Sequence, residues 1–591
     1  MPPSSKRALA VPSRHWRVWI QAMLGLALAL VGSTSAAQPT SYDAASGMLV
    51  VPSVQVGAEV YTNVRLLNLG GFRFALQTAD LQTPPGTAVA RYDAASGLLA
   101  IPAVKVGTEV YLDVTLLNVG SFTFALQTAD LLPAETLSAV NDLLRKTETL
   151  WATAAPVSGA ARMSLTDGCY RNDGRTRAYL VSEADADPAN FRGQYAYLVG
   201  EKLGNLQVLA RRSVTVPGAG NREELDVQYD ATYGDGSVAH AVLATVVSGS
   251  TLGVPGCSTG QSASNWRYFG NQQLVQVAAR SRNIRDERYL MSTGNVASPG
   301  VYYTRDVQWS ISDPMGNATY VVVSGPGPAA TVGGVASPFS LKMVSPRLLR
   351  SAPELAGKTG NFLNWLDADT FRFCRIAGSG VPVAALADCT AQGAKDNAYG
   401  FVSSTLNSTA DASFDSLGFV AGGLYTFAVY NDDGWKTING HAGRTPIAVY
   451  TDVLESLPMR FVDMAGAGAT ADKFPRLSFG GMSIAQVRSN LLSASPAAMG
   501  ASWTALPAGG PFRVYDLWEY FQGAKTGNAG GASTPGYRSF IEYFPGSKAL
   551  SASGWPVSPK LAAMSSKAYA EFVLLYVDRD DLQILSKVSF N

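Results

Sequence analysis

The chain has 591 residues, 46 Lys and Arg against 45 Asp and Glu, and only 15% charged residues. A near-neutral chain with no basic block or basic helix argues against a nucleic-acid partner, whose phosphates demand clustered Lys and Arg. The length suits roughly three to five domains, each able to bury a core. Abundant Gly, Ser, Thr, Ala and Val point to antiparallel β domains with many short turns.

Residues 1–37 read as an export signal. Lys6, Arg7, Arg14 and Arg17 form a basic region, Val18–Val31 is apolar, and Ser35-Ala36-Ala37 is a small-residue cleavage site. The mature chain is expected to begin at Gln38. The apolar run is about 14 residues, short of the ~20 a spanning helix needs, and no later segment reads as a transmembrane span. The expected location is the periplasm, the cell surface or the exterior. Export permits disulfides, and the four cysteines suggest Cys169–Cys257 and Cys374–Cys389, one of three permitted pairings.

A tandem repeat follows, in the segment 38–133. Residues 42–81 and 92–131 align at an offset of 50 with 28 of 40 identities. Where the copies differ, a period of two emerges. Val54, Val56, Phe72 and Phe74 are kept as Val104, Val106, Phe122 and Phe124, while Ser53, Gln55, Gly71 and Arg73 change. Kept positions are predicted to face a core and changed ones, such as Arg73, to face solvent. Forty residues bury little alone, so the copies are expected to pack on each other or on the next domain.

Residues 134–262 read as an α+β domain. Leu137, Val140, Leu144 and Trp151 give a helical period over 134–151. The strand candidates behind it are RAYLVSE, YAYLVGE, LQVLARRSVTV, REELDVQYDATY and AVLATVVSG. A helix followed by a curved antiparallel sheet resembles the cone-shaped fold of nuclear-transport-factor-2-like domains.

Residues 263–352, 353–460 and 461–591 read as two or three β-sandwiches. VYYTRDVQWSISDP and NATYVVVSGPG predict a hairpin about Pro314–Asn317. LGFVAGGLYTFAVYNDDGW alternates Tyr425, Phe427 and Val429 before an Asp-Asp-Gly turn, and KAYAEFVLLYVDRDDLQILSKVSF has the same form. These segments resemble late strands of bacterial Ig-like or fibronectin-type-III-like sandwiches. The Gly/Ala/Ser-rich stretch 511–555 is expected to contain a long loop between strands. The fold class expected is thus mainly β and multidomain: a duplicated β module, one α+β domain, then antiparallel sandwiches.

Catalytic motifs are missing. Only His240 and His441 follow the leader, and neither Gly-x-Ser-x-Gly nor His-Glu-x-x-His occurs. Gly357-Lys358-Thr359 lacks the leading glycine of a phosphate loop, since Ala352 stands there. Acidic clusters at Glu183/Asp185/Asp187, Asp367/Asp369, Asp432/Asp433 and Asp578/Asp580/Asp581 could offer oxygens to Ca²⁺, but none has an EF-hand spacing and polar turns use the same residues. No other cofactor is implied.

Among the tryptophans, Trp435 follows a polar turn and is the one expected to be exposed. Trp435 with Asn431, Asp432 and Asp433 is therefore the candidate ligand site, an aromatic face beside oxygens suited to a glycan. The function expected is an exported, non-enzymatic binding, adhesion or scaffolding protein with a glycan or protein surface ligand. The rival is a secreted carbohydrate-active hydrolase using two carboxylates ~5–10 Å apart in a cleft.

Overall fold

The computed structural model describes residues 40–591 apart from a set of segments, the longest being 153–160, 182–198, 346–371, 374–397, 465–473, 504–512, 526–536, 542–550 and 556–563. The export signal, Cys374, Cys389 and the acidic clusters other than Asp432/Asp433 lie outside the described residues. The chain is mainly β and multidomain.

The two repeats close into one barrel. The first copy supplies β1 (Ser41–Asp43), β2 (Met48–Val56), β3 (Glu59–Gly70) and β4 (Arg73–Leu81). The second supplies β5 (Ala90–Asp93), β6 (Leu98–Val106), β7 (Glu109–Gly120) and β8 (Thr123–Leu131). Their order is β1-β2-β3-β4-β8-β7-β6-β5, and parallel pairs β1–β6 and β2–β5 complete the ring. Closure leaves no long free sheet edge, which an isolated copy would expose. One core serves both copies, with Val51, Leu66 and Phe74 from the first and Ile101, Leu116 and Phe124 from the second. Val54 and Val104 are buried and Val56 and Val106 half-buried, while Arg73 is exposed. Phe72 and Phe122 contradict their predicted inward direction: they are 68% and 60% exposed. Each occupies a turn with positive φ, where strand alternation no longer applies.

Differences between the copies also mark a docking face. Thr62 and Gln82 of the first copy correspond to Leu112 and Leu132 of the second. Both leucines are buried in a core shared with the next domain. Asn63 likewise corresponds to Asp113, which with Asp130 binds Arg211 at 2.9 and 2.7 Å. Among the described residues only the second copy carries a neighbour there, and it is the copy with the leucines and the aspartate.

The next domain has α1 (Ala134–Leu150) on a meander of β9 (Lys202–Val216), β10 (Gly220–Thr232), β11 (Val238–Ser250) and β12 (Ser262–Tyr268). Val140, Leu143 and Leu144 of the helix pack on Leu225, Val227 and Val246 of the sheet. The RAYLVSE segment departs from its strand prediction, because Arg177–Tyr179 is helical. A short apolar run suits either period, and tertiary packing decides. Cys169 and Cys257 are bonded, with Cα atoms 5.4 Å apart. The bond lies beside a buried Arg267–Asp167 pair at 2.8 Å, whose carboxylate also accepts from the Cys169 amide and the Thr251 hydroxyl.

Beside a two-stranded and a three-stranded sheet, two large interleaved sheets dominate the rest of the chain. The strands are β13 (Gln276–Tyr289), β14 (Val296–Ser312), β15 (Tyr320–Ser324), β16 (Ser340–Val344), β17 (Ala398–Ser403), β18 (Gly423–Tyr430), β19 (Ala448–Leu454), β20 (Arg513–Lys525), β21 (Tyr537–Ile541), β22 (Met564–Val577) and β23 (Gln583–Phe590). One sheet runs β17-β14-β13-β23-β22-β20-β21, and the other orders β16-β15-β18-β19 with the two residues Arg372–Phe373 at the β16 edge. They pack face to face through Val307, Trp309 and Ile311 on one side and Val321, Val323, Phe427 and Val429 on the other.

Two expectations change here. Strand pairing crosses the expected boundaries at 352 and 460, since β13, β14, β17, β20, β21, β22 and β23 share one sheet. The hairpin about Pro314–Asn317 is instead an arch: β14 and β15 lie in different sheets and never pair. Asp313 holds that arch by accepting from the Ala318 amide at 2.7 Å. Turn signals are local, whereas strand partners are chosen by burial across long separations, so sequence order misplaced the partners.

Candidate functional site

The site expected about Trp435 does not present an aromatic face. Trp435 is 5% exposed, within the short helical turn Gly434–Lys436. The carboxylates beside it hold this turn together. Asp432 Oδ1 accepts from the Tyr320 hydroxyl at 3.0 Å and the Gly434 amide at 2.8 Å, and pairs with Arg444 Nη1 at 2.9 Å. Asp433 Oδ1 pairs with Arg444 Nη2 at 2.7 Å. Lys342 donates to the Gly434 carbonyl at 2.6 Å, and burial, then Arg444, push its ammonium down to about 8. Asn431 is exposed at the edge of the turn. A polar run of this kind satisfies local backbone and cationic groups, and the ring beside it is buried. Among the described residues, no three His, Cys, Asp or Glu side chains gather to hold a metal ion.

The exposed aromatics lie on the barrel instead. In the first copy a two-residue turn joins β3 to β4, with Gly70 paired to Arg73. Its central residues, Gly71 and Phe72, have φ of 57° and 56°. In the second copy Ser121 and Phe122 have φ of 50° and 53° between Gly120 and Thr123. Two positive φ angles define the hairpin turn whose twist matches the flanking strands, and Asn-Gly is its preferred sequence. A left-handed Phe costs roughly 1–2 kcal/mol in each copy.

The barrel wall fixes these turns from below. The Asn68 side chain accepts from the Gly70 amide at 2.8 Å and donates to the Tyr42 hydroxyl at 2.8 Å. Tyr42 in turn packs edge-on against the core ring of Phe74. Asn118, Gly120, Tyr92 and Phe124 repeat this chain of contacts. Each tip is also tied to the opposite copy. The Phe72 carbonyl accepts from Leu126 at 3.0 Å and the Phe122 carbonyl from Leu76 at 3.1 Å.

Backbone and neighbours are therefore held, and the two rings project. The β4–β8 register, centred on Phe74 opposite Phe124, puts the tips roughly 13 Å apart along the strands. Exposed Leu69 and Val119 stand beside them. Sequence reading took Phe72 and Phe122 for core. The signal that could have found them was the Gly70-Gly71 and Gly120-Ser121 pair just before each ring, a turn signature.

Among the described residues no helix is long and apolar enough to cross a membrane. No family model matches the chain, and no curated protein matches it. Among solved structures, the tetra-tandem repeat in the extending region of a large adhesion protein aligns over 66% of this chain and 75% of that one. The identity is 9% and the TM-score 0.12, too low to assign a common fold.

Proposed function

We propose that this is an exported binding protein of the bacterial envelope or exterior, which docks a protein partner through Phe72 and Phe122. The observation that carries this reading is the pair of strained, projecting phenylalanines kept in both copies while the residue before each changes from Gly71 to Ser121. A residue that neither fills the core nor suits its backbone is explained by what it touches outside the chain. Leu69 and Val119 extend each tip with apolar rather than hydrogen-bonding surface, which favours a protein over a sugar. The leader-like N-terminus and the Cys169–Cys257 bond support an oxidising location.

The test is binding of labelled protein to intact bacterial cells, with and without surface protease treatment. Wild type should bind, and the Phe72→Gly/Phe122→Gly variant should lose most of that signal while remaining folded. Equal binding by both proteins would overturn the reading. Loss only after glycosidase treatment would replace the protein partner with a glycan.

A further inference from the structure

The surface along which the two repeats meet is two-fold symmetric in its register. In the β4–β8 pair, Phe74 stands opposite Phe124, Arg73 opposite Ala125 and Ala75 opposite Thr123. At the repeat offset of 50, Arg73 becomes Thr123 and Ala125 becomes Ala75, so the pairing maps onto itself. The backbone bonds obey the same rule, Leu76 donating to the Phe122 carbonyl at 3.1 Å and Leu126 to the Phe72 carbonyl at 3.0 Å. So do the parallel seams that complete the ring, where Tyr42 pairs with Val106 and Tyr92 with Val56. Each copy holds the other with the same surface by which it is itself held, which is an isologous contact.

The side chains along this surface barely distinguish the copies. Tyr42, Val54, Leu66, Phe74 and Leu76 recur unchanged as Tyr92, Val104, Leu116, Phe124 and Leu126. Where the seams differ, as at Gln55 and Lys105, both side chains are exposed. The buried part of the surface thus fits a half-barrel from any chain of this sequence.

The covalent link sets the competition. Leu81 stands opposite Tyr61, Tyr61 opposite Val54, and Val54 opposite Ala90. The end of the first copy and the start of the second are therefore three strand spacings apart, roughly 14 Å. Residues 82–89 give nine Cα steps between them, with a reach of ~30 Å. Closure within one chain is unstrained, and so short a tether holds the halves at an effective concentration in the millimolar range. The second copy is fixed to the α1 domain through Leu112, Leu132 and the Asp113–Arg211 pair. Among the described residues the first copy adds no side chain to that core, so it is the half able to change partners.

We propose that the barrel is an exchangeable pairing module whose partner is a second copy of this chain. Two chains join by trading first copies, each barrel then being built from the first copy of one chain and the second copy of the other. The contacts are those of the closed chain, so the tether and the concentration decide the outcome. Dilute chains close on themselves, and chains crowded to the millimolar range join. An exchanged pair presents two sets of Phe72 and Phe122 tips, but the pairing does not depend on what those tips bind.

The test shortens the tether in the full exported chain. Deleting residues 83–88 leaves three Cα steps, ~11 Å at most, too short for closure within one chain. Light scattering after gel filtration at micromolar concentration should give the deletion variant twice the mass of the wild type. Cysteines at a cross-strand pair then locate the contact. Deletion chains carrying Ala75→Cys, mixed with others carrying Thr123→Cys, should form a disulfide between positions 75 and 123 of different chains, found by mass mapping. The same two substitutions in chains of native length, incubated together in urea just below the unfolding midpoint and then returned to buffer, should give this cross-link in an amount that rises with protein concentration. A deletion variant that stays at the wild-type mass, or doubles without the cross-link, would overturn the proposal. If that variant does not fold, the native-length mixture decides, and no cross-link there at millimolar concentration overturns it equally.

Discussion

At the residue scale, two kinds of side chain defy the ordinary rules of burial. Phe72 and Phe122 are apolar, projecting and strained, and they contribute little to stability. Glycine fits their left-handed backbone, so Phe72→Gly should raise stability by about 1 kcal/mol, measured by urea denaturation. Phe124→Ala should instead cost ~3–5 kcal/mol, because that ring fills the barrel core. A loss of stability in Phe72→Gly would mean that the ring packs after all. Glu201 is the opposite case, a polar group enclosed. Burial, then Glu148, push its carboxyl up to about 8 from 4.5. The folded chain therefore keeps a proton that the unfolded chain releases. Its stabilising contribution is complete below the unfolded value and is lost as pH rises through the folded one, on the order of 5 kcal/mol across that window. Glu201→Gln should flatten the slope of stability against pH there; an unchanged slope would show that another group carries it.

At the element scale, buried polar pairs join pieces that pack too little apolar surface by themselves. Arg305 of β14 pairs with Asp411 at 2.7 Å, and both side chains are buried. Asp411 lies on α2 (Ser408–Asp415) and also accepts from the Phe461 amide at 2.7 Å, so one carboxylate ties α2 and the start of the short helix Phe461–Met464 to the sheet. The guanidinium stacks 4.2 Å from the Phe414 ring centroid. Asp411→Ala leaves the buried cation with only the exposed Asp415 at 3.3 Å and the Pro458 carbonyl, and should cost about 3 kcal/mol, read from the denaturation midpoint. Removal of the Cys169–Cys257 bond acts on the unfolded chain instead. It closes a sequence separation of 88 residues, so a double Ala variant should lose up to roughly 4–5 kcal/mol in the chain-entropy picture. Loss of well under ~1 kcal/mol would indicate that the reduced chain stays locally ordered.

At the scale of the whole molecule, the last strand holds the parts together. β23 pairs in parallel with β13 and antiparallel with β22, in the middle of its sheet. Phe572, Leu574 and Ile584 face one core, while Val573, Leu575 and Leu585 join the core of the α1 domain. Truncation before Gln583 would expose both faces and leave β13 and β22 without their shared partner. The shortened chain should fail to fold cooperatively, with loss of near-ultraviolet dichroism and rapid proteolysis. A truncated protein that keeps a sharp transition would show that the sheet closes without it. β23 meets β13 across a long sequence separation, so this sheet forms by slow, long-range β pairing.

The sequence determined the features that rest on local periodicity and covalent order. The helix at 134–150, the half-buried strands of the repeat, the apolar alternation at Tyr425, Phe427 and Val429, and the Cys169–Cys257 pairing follow from spacing and redox logic. Even the docking face could be read from it, since Leu112, Asp113 and Leu132 are where one copy departs from the other. Tertiary structure alone decided which strands pair: that two repeats close one barrel, that β14 and β15 arch between sheets, and that β23 inserts beside β13. It also reversed the directions of Trp435, Phe72 and Phe122, and enclosed Glu201 without a partner. Burial is a property of what a residue meets across the fold, and a period of two along one strand carries no record of its distant neighbours.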